Sequence, residues 1–424
     1  MLNAQLIITS CSRRGLEIEQ LKSYLQGNGY CLLRDDWTVH PETDLILLST
    51  CGFTQAAEDF GFETLRRVQA TKKATAQVVF GGCIPEINPA RVKAEFDGPT
   101  FSPQSYDHLD AILGVEHPFV GFSRPNTFGN RGATSLITDT RRAVDILKTF
   151  DGSWSGLGYI SQRLGSVMRQ RLIRTRYANL ENKHTYYIQI QEGCSMHCSY
   201  CAIRLAIGPL RSRPIEAILA ELRSGIGKGY RQIQLMGDNA GSYGLDIGAN
   251  LGKLLERILE VDGDFSLDLT DINPVYLASI AEPVKQLTQQ KRISRLYVPI
   301  QSANRRILKL MGRDCDMQAV KQMLLEIRRL GGPELKMGTS LIAGFPSETM
   351  GELEETLEFC EQVGFDWVWC HSYSARPETP AAGLPGQLDA AEILRRSQLV
   401  KSRLSKQSVV TTATDTAGNR TCQG

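Results

Sequence analysis

Three apolar runs in the first hundred residues end alike. Ala4-Gln-Leu-Ile-Ile-Thr-Ser-Cys11, Asp44-Leu-Ile-Leu-Leu-Ser-Thr-Cys51 and Gln77-Val-Val-Phe-Gly-Gly-Cys83 are each short, apolar and closed by a cysteine. Helical periodicity separates them, at 17–25 and 56–70. Short continuous apolar runs read as strands buried on both faces, and strands alternating with helices predict a parallel sheet with helices packed on it. The pattern resumes from Tyr186. Candidate strands at 186–191, 231–236, 265–269, 295–300, 335–342 and 366–371 alternate with helical runs such as 215–225, 251–261, 317–330 and 352–363. Six such units suit a partial barrel. The expected architecture is α/β: an open parallel α/β sheet domain over 1–114, then a partial (β/α)6 barrel over 184–385. Between them, 115–183 reads as a basic linker or insertion. Residues 388–406 read as a basic helix, and the polar end from Ser408 is expected to be disordered.

The chain has 424 residues and a formal net charge of +2. That length suggests two or three domains, and the charge gives no global argument for nucleic acid. No apolar run approaches the roughly 20 residues of a membrane span. The start lacks a basic n-region and a small-residue cleavage site, so no signal peptide is expected. The eleven cysteines form no disulfide-like framework. In a cytoplasmic protein, clustered cysteines more often bind metal, and the cytoplasm is the expected location.

Cys194, Cys198 and Cys201 stand in the spacing C-x3-C-x2-C. An iron–sulfur cube normally takes four thiolates, so three close cysteines leave one iron open. Zinc is the other reading, but zinc motifs usually pair C-x2-C with a second pair of Cys or His, and His197 is the only nearby candidate. Cys11, Cys51 and Cys83 are 40 and 32 residues apart, yet carboxyl ends of parallel strands share one edge of a sheet, where ligands bind. They can converge on a second cluster. A single buried cysteine would be ordinary packing, and Cys31, Cys315, Cys360, Cys370 and Cys422 read that way.

The triplet within Glu192-Gly-Cys-Ser-Met-His-Cys-Ser-Tyr-Cys-Ala resembles the radical S-adenosylmethionine (SAM) enzymes. The resemblance implies a [4Fe-4S] cluster on Cys194, Cys198 and Cys201 whose open iron chelates SAM. The strand-end cysteines, within Ser49-Thr-Cys51-Gly-Phe and Gly81-Gly-Cys83-Ile-Pro, resemble the methylthiotransferase branch. That implies a second [4Fe-4S] cluster on Cys11, Cys51 and Cys83. Four positions depart from the family pattern. Ser10 replaces a usual glycine, Ser12-Arg-Arg-Gly15 a polar run with an asparagine, Ser49 an asparagine, and Asp238 a glutamine.

Later strand ends resemble the family's SAM-binding segments. Leu235-Met-Gly-Asp-Asn would bring Gly237 and Asp238 near the SAM amino group. Val298-Pro-Ile-Gln-Ser302 would bring Gln301 near the ribose, and Gly338-Thr-Ser-Leu-Ile-Ala would place Ile342 beside the adenine. Tyr200 would pack beside the cluster or adenine, or simply pack. Arg211 and Arg213 suit a carboxylate or phosphate; a solvated pair or an ion pair with a barrel helix is the other reading.

Family members that modify tRNA or ribosomal protein carry a small C-terminal β-barrel, TRAM. The roughly 40 residues after Pro380 are too few for one. The expected enzyme is therefore a radical SAM methylthiotransferase inserting sulfur into an unactivated C–H bond of a peptide, protein or biosynthetic small molecule. Flavodoxin or ferredoxin would donate electrons, and no membrane is involved. The basic stretch 124–183, with eleven basic and four acidic residues, reads as a solvated linker or a recognition element. Three alternatives stand beside this reading: a tRNA methylthiotransferase, a radical SAM enzyme with an electron-transfer auxiliary cluster, and a non-catalytic cluster-binding protein.

Overall fold

A computed structural model describes residues 1–33, 39–128, 184–405 and 407–412. Most of the basic stretch, including the amphipathic run 158–180, and the end beyond 412 lie outside the described residues.

The N-terminal sheet has five parallel strands, β1 (Asn3–Ile8), β2 (Cys31–Leu32), β3 (Leu45–Thr50), β4 (Gln77–Gly82) and β5 (Thr100–Phe101), in the order β2-β1-β3-β4-β5. Its two faces are both apolar. Leu6, Leu45, Leu47 and Val79 pack on Ile18, Leu21 and Leu25 of helix Gly15–Gly27. On the other face Ile46, Leu48 and Phe80 pack on Phe62, Leu65 and Val68 of helix Gln55–Thr71. Burial on both sides is why these strands read as unbroken apolar runs rather than alternating ones. Thr54 starts the second helix, its side chain accepting from the Ala57 N–H.

The second sheet has seven parallel strands rather than six. β6 (Thr185–Gln189), β9 (Gln232–Met236), β10 (Ser266–Leu269), β11 (Ile293–Tyr297), β12 (Lys336–Ala343), β13 (Trp367–Ser372) and β14 (Ser408–Thr412) lie in the order β14-β13-β12-β11-β10-β9-β6. A short antiparallel ribbon, β7 (Gln191–Glu192) with β8 (Arg211–Ser212), brackets the cysteine loop. β14 corrects the expectation of a disordered tail from Ser408: Ser408–Thr412 pairs in register with Trp367–His371. Its Val and Thr residues favour strands, and β13 offered an open edge. The basic helix before it spans Ala390–Arg403. Helix Leu277–Gln289, between β10 and β11, was not expected; it carries Pro283 in its interior, which costs a backbone hydrogen bond.

The described start of the linker is ordered packing. Asn126 bonds the backbone of Tyr187 through both its own carbonyl and its side-chain amide. Phe128 sits edge-on to Tyr187 at 4.6 Å and against Gly15. This stretch therefore ties helix Gly15–Gly27 to β6.

Candidate functional site

β1, β3 and β4 are neighbours, so Cys11, Cys51 and Cys83 come to one edge of the sheet. The fit at β4 is close. Gly82 has φ +92°, and a Cβ there would lie 2.3 Å from the Thr50 carbonyl oxygen. Only glycine lets Cys83 N–H reach that oxygen at 3.0 Å. The three sulfurs act on one another electrostatically. A hydrogen bond from Cys51, helped by Arg14 and Arg13, lowers the Cys11 thiol to about 6. The same bond, with burial, pushes Cys51 well up. Burial pushes Cys83 up to about 12. Cys11 has an exposed surface even though protein surrounds it on several sides, as expected at the wall of a recess. Two of the residues that depart from the family pattern pair here: Ser49 Oγ donates to Ser10 Oγ at 3.1 Å.

Cys194, Cys198 and Cys201 follow β6 and the first strand of the ribbon. Gly193, at φ +72°, passes so close to Pro209 that a Cβ would lie 2.0 Å from its carbonyl. The segment before Arg313 props the loop: Ser199 donates its N–H to Met311 O at 3.0 Å and its hydroxyl to Leu310 O at 2.7 Å. Buried Arg313 donates to Tyr200 Oη at 3.2 Å. Asn239 Nδ2 donates to Cys194 Sγ at 3.5 Å. Burial raises Cys194, and raises Cys201 to about 11, with neighbouring cysteines adding to each shift. Among the described residues no three His, Cys, Asp or Glu side chains converge as closely as a single metal ion requires. The thiolates of a cube bind separate irons and stand farther apart.

Around this second triad, buried polar atoms lack partners. Gln301 Oε1, Asn239 Oδ1 and both side-chain polar atoms of Gln191 have no hydrogen-bond partner among the described residues. Each such atom costs about 1–3 kcal/mol, and a polar ligand such as SAM would relieve that cost. Gln301 is held there at φ +66°, its amide donating to Ser340 Oγ at 3.1 Å. Its carbonyl accepts from buried Ile342 at 3.0 Å. A Cβ at Gly237 would lie 2.7 Å from Gln191 Nε2, so only glycine leaves room for that amide. The residues present fit SAM.

The remaining expected residues divide. Asp238 is engaged twice: Oδ2 accepts from Gly193 N–H at 2.9 Å, and Oδ1 pairs with Arg14. Asn239, beside it, carries the free oxygen that the sequence reading missed. Arg211 is half-exposed and pairs with Glu192 at 3.2 Å. Arg213 pairs with Glu221 of helix Ile215–Gly227 at 2.6 Å, the structural alternative weighed for it.

The two triads face each other. Cys83 and Ile87 pack on Ala202 and Ala206, the residues that follow the second triad. Arg14 reaches Asp238, and Arg13 reaches Asp271 at 2.5 Å. Farther along the sheet, buried Arg376 pairs with Glu58, and Ser374 Oγ accepts from Gln55 N–H at 3.1 Å. A recess remains between the domains, bordered by Cys11, Arg13, Asp271, Tyr297 and His371.

Comparisons with known proteins agree with this arrangement. The family described as the Radical SAM superfamily matches residues 188–360, and uncharacterized protein family UPF0004 matches 4–101. The threonylcarbamoyladenosine tRNA methylthiotransferase of Thermotoga maritima is 26% identical over 401 residues, 94% of this chain and 81% of that one. The tRNA-2-methylthio-N(6)-dimethylallyladenosine synthase of Halorhodospira halophila is 30% identical over 378 residues, 86% of this chain and 70% of that one. Among solved structures, the radical SAM methyltransferase TsrM of Kitasatospora setae superposes with a TM-score of 0.53 at 13% identity, covering 90% of this chain and 75% of that one; at that identity the likeness concerns fold alone. No described helix is long and apolar enough to cross a membrane. With two cysteine triads opposed across one recess and relatives of this kind, the chain belongs to the radical SAM methylthiotransferases, enzymes that use SAM and two [4Fe-4S] clusters.

Proposed function

We propose that this enzyme places a methylthio group on a modified adenine of tRNA. Cys194, Cys198 and Cys201 hold the cluster that binds SAM, within a barrel domain at 184–385. Cys11, Cys51 and Cys83 hold the auxiliary cluster, within a domain at 1–114. When bound, these groups supply the electron, the hydrogen-abstracting radical, the sulfur and the methyl group. The chain's own residues orient and shield: Gln301, Asn239 and Gln191 offer the free polar atoms for SAM, and Arg313 and Tyr200 back the cysteine loop.

The observation that carries this reading is the opposition of the two triads, with Cys83 packed toward the residues after Cys201. Sulfur insertion needs the hydrogen-abstracting site and the sulfur site to address one carbon, and this geometry suits that. The tRNA part is supported by the relatives, which are named for it. The preference for a peptide or small molecule rested on the short stretch after Pro380 and finds no support among those relatives. A tRNA target also favours the cytoplasm, with flavodoxin or ferredoxin as reductant.

The test is anaerobic reconstitution with SAM, a reductant and tRNA carrying an N6-modified adenine, followed by mass spectrometry of the nucleosides. A methylthio nucleoside is expected. Deoxyadenosine formed with no sulfur on the tRNA would overturn the reading.

A further inference from the structure

Arg13 projects from the auxiliary-cluster domain into the mouth of the second sheet. There it meets groups from four strand ends. Its guanidinium donates to Asp271, two residues beyond β10, at 2.5 Å. It acts electrostatically on Tyr297, the last residue of β11, on Asp238 beyond β9, and on His371 in β13. Cys11 is two residues away along the chain. Nothing in the proposed cluster or SAM binding uses Arg13, although it stands where a substrate must enter.

Two features mark it as more than a fastening. The Arg13 side chain keeps 46% of its surface exposed, against 9% for Arg14 beside it. Among the described residues it makes one hydrogen bond, so the rest of its five-donor fork is available. Its partner Asp271 is a non-glycine residue held at φ +60°. Such strain persists where the surroundings impose it and clusters at ligand sites. The neighbouring wall is aromatic: Phe53, 44% exposed, stands edge-on to His371 at 5.1 Å between ring centres.

An arginine fork and a carboxylate side by side present donors and an acceptor together. An alkenyl substituent would strip water from both and return no hydrogen bond. A phosphate has only acceptors and would meet Asp271 as a like charge. A substituent with a carboxylate and nearby N–H or O–H groups satisfies both: the fork takes the carboxylate in two parallel bonds, and Asp271 accepts from the donors. We infer that Arg13 and Asp271 form the specificity site for an adenine whose N6 substituent ends in an amino-acid carboxylate, with Phe53 and His371 flanking the base. This inference rests on the tRNA reading above and deepens it.

The test compares three tRNAs on the reconstituted enzyme: one with a threonylcarbamoyl group on adenine, the same tRNA methyl-esterified at that carboxyl, and one with a dimethylallyl group. Affinity is measured by titration, and methylthio product by single turnover. The free acid is expected to bind about tenfold or more tightly than its ester, the size of a charge-assisted contact. Arg13→Gln should erase that difference while leaving binding of the ester unchanged, and Arg13→Lys should keep part of it. Asp271→Asn, which keeps the side chain's shape, should preserve the acid-over-ester preference. Equal binding and modification of acid and ester by the unaltered enzyme would overturn the inference and leave the tRNA reading standing. So would an acid preference untouched by Arg13→Gln. An equal loss for all three tRNAs in Arg13→Gln would assign Arg13 to the phosphate backbone and overturn it too. If none of the three is bound or modified while SAM is still cleaved, the tRNA reading fails and the inference falls with it.

Discussion

Arg14 and Asp238 stand 224 residues apart in the chain and form an ion pair with both side chains buried. Each departs from the family pattern, and each supplies the charge that the other's position demands. Glu17 completes the set, accepting from Arg14 at 2.6 Å. Removing one partner leaves a buried charge uncompensated, which typically costs about 3–5 kcal/mol. Asp238→Asn should therefore lower stability by about 3 kcal/mol in that sense. The double variant Arg14→Met/Asp238→Leu should recover most of the loss. Urea denaturation of the three proteins checks this, and additive losses in the double variant would show that the two residues do not act as a pair.

Two cubes and one cube are separated by iron content. The intact protein should bind about eight irons, and the Cys11/Cys51/Cys83 triple alanine variant about four. Iron and sulfide analysis with EPR reads both values. About four irons in each protein would mean that the first triad holds no cluster.

Gly82→Ala tests the same cluster without touching a cysteine. The added methyl would meet the Thr50 carbonyl at 2.3 Å and its nitrogen at 2.4 Å, on a backbone at φ +92°. The end of β4 must move and take Cys83 with it. Iron should fall toward the value of the triple variant, while cleavage of SAM to deoxyadenosine persists.

Cys11 should be the reactive thiol of the cluster-free protein. Its value of about 6 lies below the 9.0 of an ordinary thiol because Cys51 donates to its sulfur and Arg14 and Arg13 stand near. The thiolate is the reactive form. Alkylation by iodoacetamide should climb as pH rises through about 6 and level off above it. Arg14→Gln should move that midpoint upward, toward 9.0. Peptide mapping after timed alkylation gives the midpoint, and a Cys11 midpoint near 9.0 in the intact sequence would contradict the assignment.

Gln301 and Asn239 should govern affinity for SAM. Each leaves a buried oxygen unpaired. Replacing either by alanine should weaken SAM binding about tenfold, the scale of one hydrogen bond at a buried site. Equilibrium dialysis on the reconstituted protein measures this, and iron content should not change.

Much of this was legible in the chain because strands buried on both faces leave unbroken apolar runs, and because three of those runs end in cysteine. The cysteine loop after β6 was legible from spacing alone. What stayed hidden was pairing at long range. Nothing local in Ser12-Arg-Arg-Gly15 indicates Asp238 or Asp271, since each contact exists only once the two sheets face one another. Asn239 was overshadowed by the charged residue beside it. β14 was misread because Ser408-Val-Val-Thr-Thr412 is polar by composition, although β-branched residues dominate it and pointed to a strand.

The fastenings between the domains sit toward opposite ends of the seven-stranded sheet. Arg14 and Arg13 hold the ends of β9 and β10, while Arg376 and Ser374, beyond β13, hold Glu58 and Gln55. A body pinned at two separated points cannot swing like a door hinged at one. The aperture between the sheets is thus of fixed width, and a bulky polymer is admitted only by what protrudes from it. For a nucleic acid that means a single base turned out of its stack. Such an enzyme gains selectivity before any chemistry, because residues that cannot be everted never reach the radical.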